Sequence, residues 1–218
     1  MNLFSDLRTF FEHFGYHGPW TRVVEHCEYS LVALGIAAAI AFPLAVLTGH
    51  TGRGAGPIEG LAVIGRAVPS LGLLVILAIK LGPLNPAVAM VPLVLLGLPP
   101  ILLYTHAGLR AVDRATVDAA RGMGMTPWQV VWRVELPAAL PLVLAGLRAG
   151  AIQIVATATL AAYVSFGGLG RYIVDGLSQY DYPQVVGGAV LVALLSLVTL
   201  AVFWLLDRLF VSPGVRSR

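Results

Sequence analysis

The sequence predicts an all-α membrane protein that crosses the bilayer five times. Two features carry that expectation: a scarcity of charge and a series of long apolar stretches. Of 218 residues, 58% are hydrophobic and only 11% are charged, and the mean hydropathy is +0.84. A soluble domain carries about 25% charged residues. This chain has too few to cover a water-facing surface, so lipid must be its main solvent. The segment 1–29 contains Asp6, Arg8, Glu12, Arg22, Glu25 and Glu28. It lacks a basic start followed by a small-residue cleavage site, so it is not read as a removable signal peptide. Cys27, the sole cysteine, has no metal-ligand spacing around it and reads as a small apolar residue at a membrane boundary.

A helix of about 20 apolar residues crosses about 30 Å of hydrocarbon. The first expected span, 29–47, contains Pro43, and the second, 58–79, is interrupted by Arg66 and the Pro69-Ser70 pair. The third, 86–104, holds Pro92 and the Pro99-Pro100 pair, and the fourth, 138–162, includes Pro141, Arg148 and Gln153. The fifth, 185–206, is uninterrupted. Membrane helices tolerate internal Pro and Gly when neighbours satisfy the freed backbone groups, which argues for a packed bundle. Gly146 and Gly150, four apart, would let helices approach closely.

Five spans place the termini on opposite sides. One set of flanks holds Arg53, then Arg110, Arg114, Arg121 and Arg133, then Arg208, Arg216 and Arg218. The other holds Arg8, Arg22 and Arg171, with Lys80 at a boundary. Positive charge marks the cytoplasmic face, so the N-terminus is expected outside and the C-terminus inside. The expected organisation is an extracytoplasmic segment 1–28, a transmembrane domain 29–211 with a cytoplasmic segment 107–137, and a cytoplasmic tail 212–218.

That cytoplasmic segment, between spans three and four, is too long for a simple connection and reads as two short helices. Asp113 can cap the first, which the glycines of Gly122-Met123-Gly124 would end. Thr126 can cap the second, with Pro127 at its first position and Gln129 completing a capping box. The second helix is expected to end before Pro137, because a residue preceding proline disfavours helical geometry. Such a pair is either a rigid knob through which another protein pushes on the spans or an interfacial pair that orients Trp128 and Trp132 at the headgroups.

Asp118-Ala119-Ala120, Gly124 and Val134-Glu135-Leu136-Pro137 resemble the cytoplasmic "EAA" signature of ATP-binding-cassette importer permeases. That signature is Glu-Ala-Ala, three residues, Gly, nine residues, then Ile-x-Leu-Pro. The spacing here matches throughout, with Asp118 in place of Glu and Val134 in place of Ile. The resemblance implies the five-span fold of type I importers, shared with methionine-uptake permeases, in a bacterial or archaeal plasma membrane. It implies that the first short helix docks in a groove of a separate ATPase subunit. Asp118, Ala119, Ala120, Arg121, Gly124, Met125, Leu136 and Pro137 would then carry the coupling. Two ATPase subunits, a second permease subunit and a separate extracytoplasmic binding protein are the implied partners, with ATP and Mg held by the ATPase and no cofactor on this chain.

The resemblance extends from about Glu25 onward. Val24 to Leu31, Gly65 to Leu71, Leu98 to Leu102 and Gly167 to Ile173 look like osmoprotectant permeases, which import glycine betaine, choline, carnitine or proline-type solutes. A methionine or other amino-acid importer permease is the alternative within the family. No phosphate-cradling Gly-x-x-x-x-Gly-Lys-Ser/Thr loop is present, and Lys80 is the sole lysine, so ATP hydrolysis is expected in trans and the chain is expected not to be an enzyme.

Arg66 and Arg148 lie inside apolar spans, where an ionisable group faces a bundle interior or a water-filled cavity. They either line or gate the path, as Pro69, Ser70, Gln153, Gly167 and Gly168 would, or satisfy buried carbonyls and Gln153-type partners. Gly167-Gly168-Leu169-Gly170 lacks the preceding strand of a nucleotide loop and fits a hinge beside an external gate. Tyr163, Phe166, Tyr172, Tyr180 and Tyr182 cluster near it, either as an interfacial belt or as faces for a quaternary ammonium group. The rival classes are a membrane enzyme, for which no carboxylate, His or Ser constellation is found, and a channel or secondary carrier. Five spans do not divide into a carrier's inverted halves.

Overall fold

The computed structural model describes residues 19–54, 56–58, 60, 65, 69–164 and 166–211. Arg66, most of the N-terminal segment and the tail 212–218 lie outside the described residues. All regular structure among the described residues is helical: α1 (Pro19–Thr51), α2 (Ser70–Leu81), α3 (Pro86–Arg110), α4 (Arg114–Gly122), α5 (Pro127–Val164), α6 (Gly170–Gln179) and α7 (Tyr182–Phe210). Among the described residues, α1, α3, α5 and α7 are long and apolar enough to span a membrane. The stretch expected as the second span is seen in pieces. Residues 56–58 and Gly65 are helical, Pro69 is extended, and α2 begins afresh at Ser70 with 12 residues. At 1.5 Å per residue α2 covers about 18 Å, short of a bilayer's hydrocarbon.

The bundle is organised around α3, which packs most extensively on α5 and α1 and also on α2. Lipid supplies no hydrophobic drive between apolar helices, so close van der Waals fit must hold them together. The fit is made by small residues. Ala33, Ala37, Ala41 and Ala45 repeat every four residues along α1 and are fully buried against Leu93, Val94, Ile101 and Leu102 of α3 and Ile154 of α5. The same face ends at Gly49, where a Cβ would sit 2.8 Å from Leu109 Cβ. Between α3 and α5, a Cβ at Gly146 would approach Tyr104 Cβ to 2.8 Å and the Pro100 carbonyl to 3.1 Å, while one at Gly97 would meet Ile154 Cδ1 at 2.6 Å. Pro92, Pro99 and Pro100 lie within α3 without ending it, as expected where packed neighbours surround the backbone.

Helix α5 departs from the expected layout at both ends. It opens with an α-helical turn, passes through a π-helical stretch (Val131–Glu135), continues as α-helix (Leu136–Thr157) and closes as 3-10 helix (Ala158–Val164). The second cytoplasmic helix therefore does not end before Pro137; it runs on into the fourth span. Proline inside a helix removes a donor and crowds the preceding turn. The wider π turn, in which Leu136 N–H reaches back to the Val131 carbonyl, accommodates both effects. Helices α6 and α7 form a hairpin through Tyr180 in the left-handed region (φ 58°), with Asp181 capping α7 through the Gln184 amide at 3.1 Å. Apart from Gly187 and Gly188, no residue of α7 is buried, and Leu194, Leu197, Val198, Val202 and Trp204 present the apolar surface lipid requires.

Gly146→Val should destabilise the bundle by about 1–3 kcal/mol through overpacking. Gly35→Ala, where an added Cβ meets nothing within 4 Å, should be neutral or slightly stabilising. Thermal unfolding of the detergent-solubilised protein distinguishes the two.

Candidate functional site

The segment joining α3 to α5 is built by local rules. The Asp113 side chain accepts from the Ala115 amide at 3.0 Å and starts α4. At the other end Met125 N–H bonds to the Ala120 carbonyl (3.2 Å) and Gly124 N–H to the Arg121 carbonyl (2.9 Å). With Gly124 at φ 85°, this is a Schellman closure, whose left-handed residue is best served by glycine. Thr126 then caps α5 in a complete capping box with Gln129. These caps follow the sequence expectation.

Packing on the bundle is slight. Only Ala120 of α4 is buried, while Ala119, Gly122, Met123 and Gly124 are exposed. Asp118 and Arg121 approach to 3.9 Å with side chains 74% and 53% exposed, so the pair fixes little by itself. A helix of nine residues is too short to be stable alone, and its caps hold it ready with most of its surface uncovered. A Cβ at Gly124 would meet nothing within 4 Å, so the space beside this glycine is open. Trp128 and Trp132 stack edge to face, ring centroids 5.3 Å apart, and are both exposed. Leu136 is buried beneath the segment and Pro137 is exposed.

A contact that sequence reading missed ties this segment to the first helix. Glu135, 5% exposed within the π turn, meets His50 Nδ1 of the last turn of α1 at 2.7 Å. The two residues are 85 apart in sequence, and neither has a local pattern that announces the other. A cavity of about 270 Å³ opens between them and α4, lined by His50, Arg110, Arg114, Asp118, Arg121 and Glu135 among others. Its lining carries three arginines against two carboxylates.

The expected path or gate residues are distributed over the bundle. Pro69 is exposed and Ser70 half-buried at the start of α2. Arg148 donates to Asp207 Oδ2 of α7 at 3.3 Å. Gln153 is exposed on α5, and five residues along a helix turn it well away from Arg148, so Asp207 and not Gln153 is the arginine's partner. Gly167 and Gly168 lie against Glu25 and His26 of α1. Among the described residues no group of three or more His, Cys, Asp or Glu side chains is placed to hold a metal ion.

Comparison with known proteins gives these elements a context. Residues 32–212 match the model of the family described as binding-protein-dependent transport system inner membrane component. The carnitine transport permease protein OpuCB of Listeria monocytogenes is 36% identical over 190 residues, 87% of this chain and 86% of that protein. The choline transport system permease protein OpuBB of Bacillus subtilis is 36% identical over 195 residues, 89% of each chain. Among solved structures, an inward-facing conformation of the MetNI methionine ABC transporter aligns with a TM-score of 0.74 at 23% identity, over 87% of this chain and 94% of that one. An amino acid ABC transporter with histidines aligns at 0.71 and 18% identity, over 95% and 98%. Both structural likenesses speak to the fold.

Removing the imidazole in His50→Ala strands a buried carboxylate, which should cost about 1–3 kcal/mol. The double variant His50→Ala/Glu135→Gln should recover part of that loss. A thermal-unfolding double-mutant cycle measures the coupling.

Proposed function

The chain belongs to the family of binding-protein-dependent transport system inner membrane components, and from that premise we propose that it is the permease subunit of an ATP-binding-cassette importer for osmoprotectants such as glycine betaine, choline, carnitine or proline. The observation that carries the solute class is the 36% identity, over nearly the whole chain, to permeases named for carnitine and choline. The working arrangement is five spans with the N-terminus outside and the C-terminus inside, which puts the α3–α5 segment in the cytoplasm. Arginine distribution supports it: Arg114 and Arg121 fall on that segment, and Arg110 and Arg133 on the helix turns that flank it.

In this reading α4 docks in a groove of a separate ATPase subunit. Ala119 and Ala120 let the groove wall come close, Gly124 supplies a turn with no side chain in the way, and Asp118 and Arg121 pair with the partner's charges. Met125 joins the docked helix to α5, and Leu136 and Pro137 lie within α5 itself, so a push on α4 reaches the fourth span directly. The exposure of α4 and the open space beside Gly124 are what such docking needs. His50 and Glu135 extend the same push to the first span. Two ATPase subunits, binding ATP and Mg, close and open together and move two permease subunits as rigid bodies between inward-open and outward-open states. A separate extracytoplasmic protein delivers the solute. Pro69, Ser70, Arg148, Gln153, Gly167 and Gly168, with Arg66 beyond the described residues, are proposed to line or gate the path.

The chain should co-purify with an ATPase whose hydrolysis rises when the binding protein and glycine betaine are added. Solute transport by the chain alone, without ATP, would overturn the reading in favour of a carrier. Gly124→Asp should abolish solute uptake while leaving membrane insertion intact. The left-handed turn costs a side chain only about 1–2 kcal/mol, so the loss would come from the blocked interface; unimpaired uptake would count against docking at α4.

A further inference from the structure

The Gly167-Gly168-Leu169-Gly170 loop is held by the first helix, at the end of the bundle away from α4. Its glycines meet separate constraints. A Cβ at Gly167 would lie 2.5 Å from Glu25 Cδ, Gly168 has φ 83°, and a Cβ at Gly170 would run into the Thr159 carbonyl oxygen. Glu25 Oε2 accepts the Gly168 N–H at 2.7 Å and also an Arg22 guanidinium N–H at 3.1 Å. His26, 0% exposed, joins two elements at once. Its Nε2 lies 2.9 Å from the Val155 carbonyl, and its Nδ1 lies 3.3 Å from the Leu169 amide nitrogen. A carbonyl only accepts and an amide N–H only donates, so the ring is the neutral tautomer with its proton on Nε2.

The bonds fall where helical geometry changes or begins. Val155 lies in the last α-helical turn of α5, just before the change to 3-10 geometry at Ala158. The Gly168 and Leu169 amides immediately precede α6, which starts at Gly170 with Leu169 as its N-cap, so the helix itself supplies them no acceptor. A carboxylate there also suits the positive end of the helix dipole. Two consecutive side chains of α1, Glu25 and His26, thus fasten α5 near its α-to-3-10 change and the N-terminal end of α6 together. The loop cannot leave α1 without breaking the Glu25–Gly168 and His26–Leu169 bonds, and α1 cannot leave α5 here without breaking His26–Val155.

We infer that Glu25 and His26 form a latch, two positioning residues that clamp the glycine loop to the first span, and that transport requires this latch to open and re-form in each cycle. The inference rests on the importer reading, in which this end of the bundle faces the binding protein. A rigid-body switch of packed helices has to part α1 from the α5–α6 junction or carry both along as a unit, and parting them means opening the latch. Opening is feasible because the bonds are three, two of them to amides of the loop. Re-forming is specific because only the neutral Nε2–H ring satisfies both of its partners.

The test uses the complete complex of permease, ATPase and binding protein in proteoliposomes, with glycine betaine, choline and carnitine as probes. In a Cys27→Ser background, Glu25→Cys/Gly167→Cys places a cysteine on each side of the contact that the Glu25 carboxyl group makes beside Gly167, and a disulfide forms where the backbone brings the Cβ atoms to about 3.5–4.5 Å. His26 keeps its half of the latch in this variant, so the reduced form retains uptake; oxidation should abolish that uptake and reductant should restore it, which no folding defect would mimic. Separately, His26→Leu should lower the ratio of binding-protein-stimulated to basal ATP hydrolysis several-fold by letting the unlatched complex cycle unprompted. Glu25→Gln, which keeps an acceptor oxygen for Gly168, should leave the ratio close to wild type. If the oxidised double variant, its cross-link verified, imports solute as the reduced form does, the latch is refuted while the importer reading stands. Failure of the wild-type complex to import any of the probes would overturn that reading and the latch with it.

Discussion

The structure depends on how closely α3 can approach α1 and α5. In lipid an apolar side chain gains nothing by leaving solvent for a neighbouring helix, so contact must be made by shape. The four-residue repeat of alanines on α1 and the glycines at positions 97, 146 and 150 bring backbones near enough for that contact. Once those helices are fixed, the remaining features take their positions from them. The cap at Asp113 starts where α3 stops, Glu135 finds His50 across the α1–α5 contact, and the glycine loop falls against Glu25 and His26. Interiors packed this tightly deform little, so a force applied at one end shifts helices as bodies.

The two ends of the bundle contrast in a way that suits a device driven from one side. At one end a short, well-capped helix presents an almost fully exposed surface and touches the core through Ala120. At the other a buried histidine and a carboxylate gather the glycine loop and helix α5. Both ends act on α1 and α5: His50–Glu135 joins them near α4, and His26–Val155 joins them near the glycine loop. Between these points the two helices are coupled through α3, so displacement at the exposed end has a continuous packed route to the latched end. The Arg148–Asp207 pair adds α7 to the same assembly.

Much of this was legible in the sequence, and the boundary of legibility has physical causes. Local chemistry announced itself: Asp113, Thr126, Gln129 and Gly124 act within five residues of their own positions, so the caps and the turn could be read directly. The apolar stretches of α1, α3, α5 and α7 were evident because lipid demands them. Pro137 misled, since its usual helix-ending effect is absorbed by a π turn that no residue pattern reveals. The Ala33-Ala37-Ala41-Ala45-Gly49 face was present at a spacing of four but was masked by apolar residues on every side of the helix. His50–Glu135 and His26–Val155 were invisible because they join residues 85 and 129 apart. Within the second expected span Pro69 is extended and α2 begins afresh at Ser70, at the Pro69-Ser70 pair that interrupts the apolar stretch in the sequence.

The proposed coupling requires the exposed helix after α3 to face the cytoplasm and to engage an ATP-driven partner. Ala119→Cys in a Cys27→Ser background places one thiol on that helix, and its labelling by a membrane-impermeant reagent can be compared in intact cells and inside-out vesicles. Labelling is expected only in the vesicles, lost when the ATPase subunit is bound and replaced by a cross-link to it under oxidation through a cysteine placed in its groove. Labelling in intact cells, or unchanged reactivity with the ATPase present, would contradict that coupling.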